Sequence, residues 1–198
     1  MTARQPFVLG LTGSIGMGKS TVAGMLRALD VPVFDADAAV HQLQGPGGVL
    51  LAPIEAEFPG STGPKGVERV KLGAMVFGNP AALARLEAIV HPAVHRMRAD
   101  FVREYAQAPL LVFDIPLLFE KGRDPRIDAV AVVSAPAETQ RARVLARPGM
   151  TEEKFERILG LQVPDAQKRQ LADYVIDTGL SLADTRAQVE ALVRRLRG

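Results

Sequence analysis

The stretch Gly13-Ser14-Ile15-Gly16-Met17-Gly18-Lys19-Ser20 restricts the possible folds more than any other part of the chain. It fits the pattern G-x-x-x-x-G-K-[ST] of a phosphate-binding loop. Before it, Phe7–Thr12 is a short apolar run that reads as a buried strand; after it, Val22, Met25, Leu26 and Leu29 recur at helical spacing. A glycine-rich turn from strand to helix leaves backbone N–H groups pointing inward, with the positive end of the helix dipole behind them. Side chains at the glycine positions would block the approach of the backbone to phosphate. The pattern places Lys19 to reach the β and γ phosphates of a nucleoside triphosphate and the Ser20 hydroxyl to ligate Mg²⁺. The competing reading, a flexible loop that happens to contain glycines, does not explain why both flanks fit.

Five short segments read as strands: Phe7–Thr12, Val31–Phe34, Leu110–Asp114, Ala129–Ser134 and Tyr174–Asp177. They are apolar throughout rather than alternating, as strands covered on both faces are. Helical stretches separate them, which predicts an α/β fold with a five-stranded parallel sheet flanked by helices. Ligands of such sheets bind beyond the carboxyl ends of the strands, so polar residues there carry functional weight. Two stretches interrupt the alternation. Gly45-Pro46-Gly47-Gly48 and Phe58–Pro64 read as turns bracketing a short helix, opening a long excursion that continues through Pro80–Val90. A second begins at Pro136, expected at a first helical position, and contains two helices broken at Arg147-Pro148-Gly149, the second starting at Thr151. The last helix, from about Leu182, puts Val189, Leu192, Val193 and Leu196 on one face.

At 198 residues the chain suits one domain of ordinary size. A net charge of +2 makes no case for a nucleic-acid partner. Arginine supplies 18 of the 24 basic residues, a composition suited to anionic substrates. There is no cysteine, hence no thiol chemistry, and no apolar run approaches the ~18 residues of a membrane span. A cytoplasmic protein is expected, with no membrane partner. Guanine-specific GTPases read their base with Asn-Lys-x-Asp, whereas the only asparagine here is Asn79, followed by proline. No apolar strand ends in Asp-Glu, as a transport ATPase would need. The second strand instead ends in Phe34-Asp35-Ala36-Asp37, and a kinase needs a carboxylate to accept the proton of an attacking hydroxyl. Capping offers a plainer account, with Asp37 starting a helix over Ala38–Leu43.

Across nearly its whole length the sequence resembles the dephospho-coenzyme A kinases. The matching segments run from Leu11 to Thr21, then Asp35-Ala36-Asp37, Arg69-Val70-Lys71-Leu72, Val76-Phe77 and Leu86–Pro92. They continue with Asp114–Glu120, Gln140-Arg141, Arg157-Ile158, Gln162 and Ala172–Ile176. The resemblance implies a P-loop kinase fold with a helical substrate-binding region and a lid, transferring phosphate from Mg-ATP to the ribose 3′-hydroxyl of dephospho-coenzyme A. Residues 45–92 match the coenzyme A-binding region and 136–165 the lid, and a monomer or small homo-oligomer is expected.

The family match implies roles for individual residues. Asp37 matches the general base, and Asp35 would support it or the metal. Gly13 through Thr21 would bind ATP, with Lys19 also catalytic. Arg141 would swing from the lid onto the phosphates, joined by Arg147; a solvated helix face is the alternative. Arg69 and His91 match substrate positions, though an exposed arginine and a structural histidine are open readings. Asp114 would order Mg²⁺ water or hold the Pro116 turn; Pro116 and Leu117 match substrate positions, and Phe119 and Glu120 follow in the substrate wall, with ordinary core the open reading for Phe119. Three positions depart from the family pattern. Thr178 stands where many members have asparagine, near the expected adenine position, Ser14 replaces a loop glycine, and Asp30 replaces a glycine before the second strand. Aspartate tolerates a left-handed turn better than most residues.

Overall fold

The computed structural model describes residues 5–120, 122 and 124–198. In chain order the elements are β1 (Phe7–Thr12), α1 (Lys19–Arg27), β2 (Val33–Asp35), α2 (Ala36–Gln44), α3 (Leu51–Glu57), β3 (Thr62–Gly63), β4 (Gly66–Val67), α4 (Arg69–Val76) and α5 (Pro80–Glu104). They continue with β5 (Leu110–Asp114), β6 (Ala129–Ser134), α6 (Ala137–Leu145), α7 (Glu152–Gly160), α8 (Asp165–Leu171), β7 (Tyr174–Asp177) and α9 (Leu182–Arg197). They form two compact units, one over Asp35–Glu104 and the other made of the chain up to Phe34 together with Tyr105–Gly198.

The larger unit is built on the sheet, whose strand order is β2-β5-β1-β6-β7. β1 pairs in parallel with β5 on one side and β6 on the other, and β6 pairs in parallel with β7. Strand residues alternate between faces. Leu9, Leu11, Leu110, Val112, Ala131 and Val133 meet Val22 and Leu26 of α1 and Val189 and Val193 of α9 in one core. On the opposite face Gly10 lies so close to Leu118 and Ile127 that an added Cβ would sit 3.1–3.2 Å from them. Both faces are covered, which is why these strands carry no polar alternation.

Register decides what reaches the ligand edge. Leu11 lies beside Asp114, and Ser134 beside Asp177, so the carboxyl ends of β1, β5, β6 and β7 come together there. The second strand starts two residues later than its apolar run suggests. The Val31 N–H is spent on the Leu26 carbonyl, closing the end of α1, and Pro32 has no N–H to give. Just before Val31, Asp30 adopts φ 53°, the left-handed turn expected of it.

The smaller unit has its own core, in which Leu43, Leu50, Ile54, Phe58 and Leu72 pack with Ala82 and Ala93 of α5. Asn79 starts α5 by accepting from the Ala82 N–H at 3.0 Å, with Pro80 in the first helical position. Pro92 lies inside that helix, although a proline commonly ends one. α5 continues through it to Glu104, with Ala82 before the proline and Ala93 after it buried in the same core. Residues 45–92 lie within this unit. Among the described residues no helix is long and apolar enough to cross a membrane.

Candidate active site

The loop from β1 to α1 is an anion cradle. Gly16 and Gly18 take φ +78° and +87°, a region that L side chains rarely adopt. At Gly16 there is also no room, since a Cβ would lie 2.4 Å from Val144 Cγ2 of α6. The Met17 N–H donates to the Ser14 carbonyl at 3.2 Å and closes the turn. Ser14 therefore serves through its backbone, and its buried side chain is compatible with the loop. Among the described residues the N–H groups of Gly16, Gly18, Lys19 and Ser20 have no acceptor, and the first turn of α1 carries no acidic residue. These are the conditions for phosphate binding at a helix N-terminus.

Lys19 forms an ion pair with Asp114, which the register of β5 delivers to this edge. The Asp114 side chain is only 4 % exposed, and the ammonium offsets part of the cost of that burial. After Asp114 the chain is held down twice. The Ile115 N–H donates to the Leu11 carbonyl at 2.9 Å, and Thr12 Oγ1 donates to the Pro116 carbonyl at 3.1 Å. Pro116 and Phe119 are half-buried and Leu117 is exposed. The segment ends at Glu120, whose Oε1 accepts from the Val163 N–H at 2.9 Å and lies 2.8 Å from the fully buried Lys168 Nζ. Burial pushes the Glu120 carboxyl up, but the Lys168 ammonium and the Val163 N–H outweigh it and hold the group below its ordinary value.

Residues 136–165 divide at the expected place. α6 ends at Leu145, Gly149 turns at φ +74°, and Thr151 caps α7 by accepting from the Lys154 N–H. Pro136 precedes the helix rather than starting it: its ψ of 145° is extended, and α6 begins at Ala137. Arg141 forks onto Glu152 of α7, its Nε donating to Oε1 at 2.9 Å, so the two helices are tied. Arg147 is exposed and has no partner among the described residues. Arg143, in the same run, donates to the Thr178 carbonyl at 2.7 Å and to its hydroxyl at 3.1 Å. The Thr178 hydroxyl in turn donates to the Met17 carbonyl at 2.7 Å. The position that departs from the family pattern is thus turned inward against the phosphate loop.

In the smaller unit the two carboxylates have different surroundings. Asp35, not Asp37, is the cap: its Oδ1 accepts from the Ala38 N–H at 2.9 Å, and α2 starts at Ala36, two residues before the sequence suggested. Asp37 stands in the first turn, exposed, with no partner among the described residues. It lines a cavity of about 420 Å³ with Val40, His41, Arg69, Leu72 and Val76. Asp37, Val40, His41 and Gln44 are spaced i, i+3, i+4, i+7, one face of a helix. That spacing is visible in the sequence and would have placed His41 beside Asp37. Arg69, the first residue of α4, lays Nη2 2.7 Å from His41 Nδ1. His91 is elsewhere, exposed on α5 and stacked on His95 with ring centroids 6.4 Å apart. It does not line the cavity.

The fit to Mg²⁺ rests on the donor set. No group of three or more His, Cys, Asp or Glu side chains among the described residues could hold a metal ion. The exposed Ser20 hydroxyl and the Asp114 carboxylate nevertheless flank Lys19 at the loop, and Mg²⁺ bound with a nucleotide takes most ligands from phosphate and water. The residues fit such an ion.

A phosphate loop at the carboxyl edge of a five-stranded parallel sheet, with α6 packed against it, defines a P-loop kinase fold. Comparisons with known proteins narrow the class. The family model for dephospho-CoA kinase matches residues 7–184. A dephospho-CoA kinase of Novosphingobium aromaticivorans is 72% identical over 193 residues, covering 98% of this chain and 96% of that protein. A crystal structure of a Thermus thermophilus protein superposes with a TM-score of 0.86 at 35% identity, covering 98% of this chain and 100% of that one. Dephospho-CoA kinase from Campylobacter jejuni shares the fold, with a TM-score of 0.62 at 24% identity over 96% of each chain. The chain belongs to the dephospho-CoA kinase family, which carries out the ATP-dependent phosphorylation of dephospho-coenzyme A, the last step of coenzyme A synthesis.

Proposed function

We propose that Asp37 is the general base that accepts the proton of the ribose 3′-hydroxyl as that oxygen attacks the γ-phosphorus of ATP. The observation that carries this reading is the contrast between the two carboxylates: Asp35 is spent on a helix cap, whereas Asp37 is unengaged and faces a cavity. A base must be free to take a proton and within reach of a bound hydroxyl.

The phosphate loop, Gly13 through Thr21, would hold the triphosphate through backbone N–H groups. Lys19 would exchange Asp114 for the β and γ phosphates and follow the charge that moves onto the leaving oxygen. Ser20 and Asp114 would hold Mg²⁺, which when bound neutralises phosphate charge and fixes the γ-phosphoryl geometry. Arg147, exposed, would meet the phosphates directly, and Arg141 would reach them by leaving Glu152. Val40, Leu72 and Val76 suit the apolar parts of dephospho-coenzyme A, with Arg69 meeting its anionic groups. Asp35 would orient the base through α2, while His91 and the Pro116, Leu117 and Phe119 wall would complete the acceptor site. The same reading has the protein working in the cytoplasm as a monomer or small homo-oligomer.

The test is ADP release from Mg-ATP with and without dephospho-coenzyme A, the product weighed by mass spectrometry, on the parent protein and on Asp37→Asn. Stoichiometric ADP, a product heavier by one phosphate, and loss of turnover with ATP still bound by the variant are expected. Near-full turnover of Asp37→Asn would remove the base assignment. Transfer only to another acceptor would leave the phosphate loop and change the substrate.

A further inference from the structure

Ile15 sits at the crest of the phosphate loop, and both of its backbone hydrogen-bonding groups are held by amide side chains from outside. Its N–H donates to Gln162 Oε1 at 3.1 Å, and its carbonyl accepts from Gln140 Nε2 at 2.7 Å. Gln140 is on α6, and Gln162 lies in the turn between α7 and α8.

Peptide planarity converts these two bonds into control of the loop. The N–H of Ile15 and the carbonyl of Ser14 belong to one rigid plane and point in opposite directions. Holding the first therefore aims the second, which accepts the Met17 N–H that closes the turn. The carbonyl of Ile15 and the N–H of Gly16 share the next plane, so Gln140 aims the Gly16 N–H away from itself. Glycine at φ +78° has little intrinsic preference to hold that plane, so the restraint must come from elsewhere.

Gln162 is itself set in place. The next residue, Val163, donates its N–H to Glu120 Oε1, the oxygen paired with the fully buried Lys168. Glu120 ends the segment that begins with Asp114, the partner of Lys19. One stretch of seven residues, 114–120, thus meets the loop's lysine at one end and the support of its crest at the other.

We infer that Gln162 is a positioning residue for ATP, orienting the phosphate loop through the Ile15 N–H, and that Glu120 with Lys168 sets Gln162. The inference rests on the assignment of the loop to ATP. Gln162 is only partly buried, so Gln162→Leu is expected to leave the melting temperature nearly unchanged. KM for ATP should rise about fivefold, the scale of one ordinary hydrogen bond, while KM for dephospho-coenzyme A stays within about twofold. Glu120→Gln should raise KM for ATP in the parent and add nothing in the Gln162→Leu background, because both act through one contact. An unchanged KM for ATP in Gln162→Leu, equal rises for both substrates, or effects of the two substitutions that multiply would each overturn the inference. Lys19→Ala, measured in parallel, separates this from failure of the loop assignment: ATP binding indifferent to Lys19→Ala would remove the assignment itself.

Discussion

Thr178 donates its hydroxyl hydrogen to the Met17 carbonyl at 2.7 Å, which makes the residue after the last strand a strut of the phosphate loop. Arg143 holds the same threonine through its carbonyl and its hydroxyl. Thr178→Val keeps the shape and removes the hydroxyl's contacts with the Met17 and Ser134 carbonyls and with Arg143 inside a buried site. A loss of about 1–2 kcal/mol in stability and a severalfold higher KM for ATP are expected, to be read by thermal melting and steady-state kinetics.

Lys19→Ala should depress ATP binding and turnover together and also lower stability, because the buried Asp114 carboxylate loses its ammonium. Adding Asp114→Asn should recover the melting temperature without recovering activity. Recovery of both would mean that Lys19 acts only as a counter-ion.

Asp35 and Asp37 should separate cleanly. Asp35→Ala removes a helix cap and should cost about 1 kcal/mol in stability. Asp37→Asn should leave the melting temperature alone and reduce kcat by about 10²–10⁴-fold, with ATP affinity unchanged in an equilibrium titration.

Arg141 and Glu152 face solvent, their side chains 56% and 37% exposed, so their ion pair contributes about 0–1 kcal/mol. Glu152→Gln should therefore leave both stability and kcat nearly unchanged, since it frees the arginine. Arg141→Gln should leave stability unchanged and lower kcat by about 10²-fold or more. Equal effects on kcat would assign Arg141 to the helix pair and not to the phosphates.

Glu120 gives a pH dependence of defined sign. Its carboxyl is held below the ordinary value in the folded protein, so the folded state favours the ionised form. That stabilisation is complete above the unfolded value, near 4.5, and is lost as pH falls through the lower folded value. Glu120→Gln should flatten the acid limb of a plot of melting temperature against pH and leave the slope near neutrality unchanged.

Local patterns carried much of the architecture. All five sheet strands follow from apolar runs, α9 from its apolar stripe, and the turn at Asp30 from the tolerance of aspartate for positive φ. Errors arose where a local preference met a competing bond or a tertiary contact. Val31 looks like strand but closes a helix; Pro92 looks like a stop but lies in a helix that packs into one core before and after it. Asp37 looks like a cap, yet Asp35 takes that place two residues earlier. The short β3–β4 hairpin has too few residues to leave a pattern.

The sequence by itself determined the phosphate loop, because its chemistry is contiguous: the backbone N–H groups, the glycines that expose them and Lys19 lie within eight residues. It also determined the class, since matching segments recur in order along nearly the whole chain. Only the tertiary structure decided what holds the loop in shape. Gln140, Gln162, Thr178 and Asp114 reach it from 95 to 161 residues away along the chain. Each does so through a single hydrogen bond or ion pair whose partner is set by strand register and helix packing, and no periodicity or spacing records such a contact.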